Sequence, residues 1–328
     1  MPERAPLVSI PEAPVPDHGT AEWFVGADGA TLRAASFFPE GQSLTGGPRG
    51  SVIVSPGRSE PIEKYYEVVQ DLLDRGFAVV VHDWRGQGLS ARALPDRLKG
   101  HAKGFKPFLG DYTALLNTFE DRLPKPWIAL GHSMGGCLTT LALAHGESRF
   151  AACVLSAPML GLNTGGKPAR AARALAWIFA RAGMAGDYTL GDKGDPFAHS
   201  FARDALTHDQ ARYERYRAQQ LANRDIALGG TTWGWVDFAF SACAWLRRSP
   251  GVEAISIPVT IVGAGEDTRV LNADLKSIAS RIPKGRYLEV AGSFHEILIE
   301  IDERRAQFWA AFDETVDPVA PKLAPEPV

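Results

Sequence analysis

The chain of 328 residues holds little cysteine, no marked excess of either charge and no long apolar run. Its three cysteines, Cys137, Cys153 and Cys243, cannot build a disulfide framework, and two lie in segments that read as core. A reducing compartment is therefore expected, namely the cytoplasm, with peripheral contact to the inner membrane. A formal net charge of −3 lacks the basic excess of a protein that binds nucleic acid, so no nucleic-acid partner is expected. No stretch approaches the roughly 18 apolar residues of a membrane span. The first twenty residues hold no apolar segment long enough for a secretory signal. Metal-ligand spacings, a P-loop and a full dinucleotide fingerprint are missing too, since Gly86-x-Gly88 lacks its third glycine. Neither metal nor cofactor is expected.

Proline marks both ends. Residues 1–20 read as a loosely ordered leader and residues 315–328 as a mobile tail. Between them, "AEWFVGADGATLRAASFFP" reads as a hairpin turning at Asp28-Gly29. Runs that are apolar at every position then alternate with helical patterns: "GSVIVSPG", a helix over Glu60–Asp74, "GFAVVVHDW", a helix over Leu109–Arg122, "PWIALGHS", a helix over Met134–His145 and "FAACVLSAPM". That alternation is what a parallel sheet covered on both faces requires. It stops at about Leu160 and resumes with "IPVTIVGAGED" and "GRYLEVAGS". The expected organisation is an α/β core over 21–160 and 253–314, interrupted by a helical cap over 161–252. An insertion of that length is too long for an ordinary loop.

Gly131-His132-Ser133-Met134-Gly135 fits G-x-S-x-G, with a strand before it and a helix after it. A strand turning sharply into a helix lifts the serine clear of the sheet, and side chains two residues to either side would press on neighbouring backbone. A serine nucleophile needs a base, and the base needs an acid to orient it. The chain order that accompanies this elbow is serine, acid, histidine. His295 is the one downstream histidine in the resumed α/β part, whereas His199 and His208 fall in the insertion. Glu266 and Asp267 follow a strand directly, and their adjacency leaves the acid open between them. For the oxyanion, the amide of Met134 and that of Arg58, after Gly57 in the loop behind "SVIVSPG", are the natural donors.

These segments resemble the α/β-hydrolase fold, and within it the monoacylglycerol lipase and lysophospholipase branch. "GHSMGG" matches its nucleophile elbow, "GAGEDTRV" its acid loop and "FHEILIEID" its histidine loop. The resemblance implies a mostly parallel eight-stranded sheet with helices on both faces and a cap inserted after the sixth strand. It implies Asp267 as the acid, with Glu266 in reserve. Pro56-Gly57-Arg58 stands where monoacylglycerol lipases carry His-Gly, and resembles the bacterial lysophospholipases, as does "LTHDQARYERYRAQQ" in the cap. The expected partner is a lipid ester, foremost a lysophospholipid.

The cap is rich in large rings, and Trp233, Trp235 and Phe238 are the expected substrate-binding residues. An acyl chain gains about 0.8 kcal/mol for each buried CH₂, so such rings select by chain length. In "PARAARALAWIFARAGM", Leu175, Ile178 and Phe179 share one helical face, while Arg170, Arg173 and Arg181 share the opposite one with Trp177. That basic face suits an anionic membrane surface, or plain solvent. Thr207 with Gln210 reads as a capping box opening a second cap helix. Arg58 is placed either to meet a phosphate headgroup or to pair locally with Glu60. A peptidase on the same fold would need cap carboxylates to hold a free amine, and Asp187, Asp192 and Asp195 are the candidates.

Overall fold

The computed structural model describes residues 3–39, 47–190, 194–198, 200–201 and 206–322. Nine strands form one open sheet: β1 Arg4–Ala5, β2 Thr20–Val25, β3 Thr31–Phe37, β4 Ser51–Ser55, β5 Ala78–His82, β6 Trp127–His132, β7 Phe150–Ser156, β8 Val259–Ala264 and β9 Gly285–Val290. Their spatial order is β1-β2-β3-β5-β4-β6-β7-β8-β9. The first four in that order pair antiparallel and the remainder parallel. The expected count was eight, and the extra strand is the two-residue β1 in the leader.

Alternating side chains feed two cores. Ile53, Ala78, Val80 and Ala129 face one, while Val52, Val54, Val79, Val81, Ile128 and Leu130 face the other. On the first side lie α2 (Lys106–Phe119), α3 (Ser133–Ala144) and α7 (Asn272–Arg281). On the second lie α1 (Tyr66–Asp74) and α8 (Asp302–Val316). The strands are apolar throughout because both of their faces are covered.

Both ends depart from expectation. The described part of the leader is packed: Ala13 is buried, Val8 N–H donates to Glu63 Oε1 at 3.2 Å, and Tyr66 and Arg33 donate to the carbonyls of Val8 and Pro6 at 3.0 and 2.9 Å. An extended proline-rich segment has few amides to satisfy, and side chains of the core suffice for them. At the other end, residues 315–316 complete α8. Ala320 is fully buried, and Arg49 donates to Asp317 and to the Ala320 carbonyl. Residues 323–328 lie outside the described residues.

The insertion carries α4 (Ala169–Phe179), α5 (Gln210–Ala222) and α6 (Trp233–Leu246). Helix α6 packs on α3 and sends Phe238, Ala242, Cys243 and Leu246 into the main core. Helix α5 starts later than the expected capping box, because Asp209 is its N-cap and accepts from Arg212 N–H at 2.9 Å. Thr207 turns away and donates to the Ile299 carbonyl at 2.7 Å. Helix α4 keeps Arg170, Trp177 and Arg181 exposed, and turns Leu175 and Ile178 outward with them. It buries Ala176 and half-buries Ala172 and Phe179 against α6, where Phe179 stacks on Trp233. Leu175, Trp177 and Ile178 are left 42%, 52% and 53% exposed.

Candidate active site

Ser133 follows β6, Asp267 follows β8 and His295 follows β9, so all three sit beyond the carboxyl ends of parallel strands. Ser133 holds φ +48°, a left-handed conformation that is uncommon outside glycine and typical of a strained functional turn. Its flanking glycines have a measurable reason. A Cβ on Gly135 would lie 2.0 Å from the Ser55 carbonyl oxygen, and one on Gly131 would lie 2.8 Å from the Gly136 Cα.

His295 Nε2 lies 2.9 Å from Ser133 Oγ, and His295 Nδ1 lies 2.7 Å from Asp267 Oδ2. A carboxylate only accepts, so Nδ1 carries the proton and Nε2 is left to accept from the serine hydroxyl. Asp267 Oδ1 accepts from the amides of Arg269 and Val270 at 2.7 and 3.0 Å. Burial pushes the Asp267 carboxyl up, but these hydrogen bonds and the neighbouring His295 outweigh it and hold its pKa below the ordinary value. The adjacent Glu266 is exposed and contributes its amide to the Ser293 carbonyl at 2.9 Å.

Helix α3 begins at Ser133, so the Met134 amide is in its first turn, where N–H groups lack an intrahelical acceptor. The facing loop over 56–60 is wired at almost every polar atom. Trp84 Nε1 donates to the Pro56 carbonyl at 2.8 Å. Gln87 donates to the Gly57 carbonyl and accepts from Ser59 N–H, both at 2.9 Å. Gly57 N–H is committed to the Glu60 carboxylate, which removes it as an oxyanion donor. The Arg58 guanidinium donates to the Gly229 carbonyl of the insertion and lies 5.4 Å from the centre of the Trp235 ring. The Glu60 carboxylate, the local partner weighed for Arg58, is held by Lys64 at 2.8 Å.

Two of the three expected substrate-binding rings have other employment. Trp233 stacks on Phe179 at 4.5 Å inside the cap. Phe238 is 1% exposed and packs on Phe108. Aromatic content alone does not separate a helix's lining face from its packing face. Trp235 is half-buried beside Arg58. Asp187 and Asp195 are exposed, and Asp195 serves a turn by accepting from Phe197 N–H at 2.9 Å. Asp192 and His199 lie outside the described residues.

Several supporting residues carry no sequence signal. Glu60, His132 and Glu296 offer ligand atoms within 4.8 Å of one another, which among the described residues is the one grouping with metal-site dimensions. Lys64 reaches the same group, its Nζ lying 2.8 Å from Glu60 and 2.7 Å from Glu296. The return of the cap is stitched to the loop that bears His295. Glu296 N–H donates to the Leu206 carbonyl at 2.9 Å, and His208 Nδ1 meets Glu300 at 2.7 Å. No helix among the described residues is long and apolar enough to cross a membrane.

The chain is similar to known proteins. The family model Hydrolase_4, described as serine aminopeptidase S33, matches residues 46–302. The lysophospholipase L2 of Escherichia coli (strain K12) is 32% identical over 293 residues, covering 86% of this chain and 83% of that protein. The monoacylglycerol lipase of Mycolicibacterium smegmatis is 24% identical, covering 78% and 85%. Among solved structures, the monoacylglycerol lipase of Paleococcus ferrophilus superposes with a TM-score of 0.67 at 18% identity, covering 87% of this chain and 98% of that one. The family model spans most of the core and the cap, and it settles the family: the chain belongs to Hydrolase_4, serine hydrolases built on the α/β-hydrolase fold.

Proposed function

We propose that the chain is a carboxylic-ester hydrolase that removes the fatty acid from a single-chain lipid, foremost a lysophospholipid, through an acyl-enzyme. The observation that carries the reading is the hydrogen-bonded line from Asp267 through His295 to Ser133, at 2.7 and 2.9 Å. Ser133 Oγ attacks the ester carbonyl carbon while His295 Nε2 takes its proton, and Asp267 stabilises the imidazolium that forms. The amides of Met134 and Arg58 receive the developing oxyanion. His295 then gives its proton to the departing alcohol, which leaves the acyl chain on Ser133. Water attacks that ester with His295 again as base, releasing the fatty acid and restoring the serine.

The lipid preference rests on the lysophospholipase and monoacylglycerol lipase relatives. Initial rates on lysophosphatidylcholine, monoolein, p-nitrophenyl butyrate and an aminoacyl amide, with Ser133→Ala as blank, test it. The first substrate is expected to lead. Fastest turnover of the small ester or of the amide would replace the reading with an esterase or a peptidase.

Arg58 is the headgroup contact in this reading, reaching a phosphate from the loop that also supplies an oxyanion amide. Arg58→Ala is expected to lower kcat/KM on lysophosphatidylcholine about ten-fold more than on monoolein, the size of one charged hydrogen bond. An unchanged ratio removes Arg58 from headgroup recognition.

The exposed face of α4 is the lipid-docking surface, with Leu175, Trp177 and Ile178 turned outward beside Arg170, Arg173 and Arg181. Arg181 lies over the Trp177 ring at 4.5 Å. The protein is expected to pellet with anionic vesicles and to be released by salt. The double change Leu175→Glu and Ile178→Glu is expected to abolish pelleting while sparing hydrolysis of p-nitrophenyl butyrate. Equal binding to neutral and anionic vesicles would reject the electrostatic half of this surface.

A further inference from the structure

Beneath the three residues lies a buried knot of charge that the hydrolytic steps do not use. His132, immediately before Ser133, is 1% exposed. Its Nδ1 lies 3.0 Å from the Ser156 carbonyl oxygen. A carbonyl only accepts, so Nδ1 carries a proton and donates it. Nε2 then faces Glu60 Oε1 at 3.4 Å and Glu296 Oε2 at 3.3 Å. A neutral ring would aim its lone pair at two carboxylates in a dry interior, where such repulsion is strong. Only the doubly protonated ring fits. With Lys64 on the same two oxygens, two cations face two carboxylates, and the buried group is balanced.

Each carboxylate belongs to a different half of the reacting centre. Glu60 accepts from Gly57 N–H and from the Tyr65 hydroxyl, the latter at 2.6 Å, and so fixes the loop that carries the Arg58 amide. Glu296 adjoins His295 in the chain, and the rings of His132 and His295 lie 5.0 Å apart. Residue 132 itself leads into the serine.

We propose that His132 is a protonated positioning residue, whose imidazolium acts with Lys64 to clamp the oxyanion loop, through Glu60, and the base loop, through Glu296, in register with Ser133. The proposal rests on the reading of Ser133 as nucleophile given above. Burial alone pulls the His132 ring down, but Glu60 and Glu296 push its pKa up to about 10. Burial raises Glu60, yet Lys64 and His132 hold it well below its ordinary value. Burial lowers Lys64, and Glu296 and Glu60 more than restore it. The other titratable groups around the ring are His295 and the phenols of Tyr65 and Tyr216, both raised by burial and by Glu60. A histidine raised in the folded state stabilises it fully below its ordinary pKa of about 6.5, and that contribution is lost as pH climbs through about 10. The clamp holds at neutral pH and releases in alkali.

Nitrogen NMR of the histidine-labelled protein tests the charge directly, with His132→Gln for assignment. Both ring nitrogens of His132 are expected to stay protonated from roughly pH 6 to 8.5. A bare Nε2 at pH 7 overturns the proposal. The rate of Ser133 labelling by a fluorophosphonate, which requires no lipid, is expected to fall about 10- to 100-fold in His132→Gln. KM for p-nitrophenyl butyrate should stay within about three-fold. An unchanged labelling rate overturns the positioning role. Where His132→Gln does not fold, Glu296→Gln serves: the His132 titration should drop to roughly pH 7–9, carrying the alkaline limb of the labelling rate with it, and an unmoved titration overturns the clamp. Absence of labelling in the unaltered protein would instead sink the nucleophile reading and leave the charge state of His132 standing.

Discussion

Ser133→Ala is expected to lower kcat for ester cleavage by about a million-fold, the scale on which serine hydrolases lose activity when the nucleophile is removed. Labelling by a fluorophosphonate should vanish with it. The size follows from what is lost together. Without Oγ there is no covalent intermediate, and His295 has no proton to take, so both stages of the reaction fail at once. The change should not unfold the protein, because Ser133 is only partly buried and alanine keeps the same backbone demand at φ +48°. A stability change within about 0.5 kcal/mol is expected. Retention of more than about a hundredth of the activity would show that the nucleophile lies elsewhere.

Asp267→Asn should cost about 10,000-fold in kcat with little change in KM. The amide is nearly the same shape, so His295 can stay where it is. Asparagine, however, offers His295 Nδ1 an N–H group as readily as an oxygen, and a ring that accepts there presents a proton rather than a lone pair to Ser133. The base is then in the wrong tautomer. The carboxylate also has a pH signature. Its pKa is held below the ordinary value, so its stabilising contribution is present above the unfolded pKa of about 3.9 and is lost as pH falls through the depressed one. The variant should therefore melt earlier than the parent near neutral pH and match it in strong acid. Glu266→Gln, beside it but exposed, should leave kcat within about three-fold. The reverse ranking would transfer the acid role to Glu266.

How far the chain could be read from its residues depended on range. Ser133 was legible because crowding at a strand-to-helix turn writes itself locally as two glycines, and Gly135 does face the Ser55 carbonyl at a distance no Cβ tolerates. His295 followed from chain order. Asp267 and Glu266 were inseparable as adjacent loop carboxylates until the resemblance favoured one, and the structure puts Asp267 on the His295 ring. The knot of Glu60, Lys64, His132 and Glu296 left no trace, since its members come from three separate segments and each reads as an ordinary polar residue. Helix α4 was legible in part, since its basic face with Trp177 is exposed. Of its large apolar residues only Phe179 packs, alongside Ala172 and Ala176, and Leu175 and Ile178 are left exposed. The leader misled through composition, since proline content says nothing about whether Arg33, Glu63 and Tyr66 will catch the few carbonyls and amides that remain.

The seam that joins residues 206–208 to the stretch from Glu296 to Glu300 has a mechanical outcome. A flap sewn along one hem to the strap that carries the imidazole cannot swing wide on that side without dragging the base off its serine. The opposite hem is sewn as well, with Asn163 N–H donating to the Arg269 carbonyl at 2.9 Å and Leu271 N–H to that of Gly161 at 3.2 Å. On this arrangement each flank of the insertion pulls on a different partner of the serine, the base on one side and, through the residues that hold Asp267, the acid on the other.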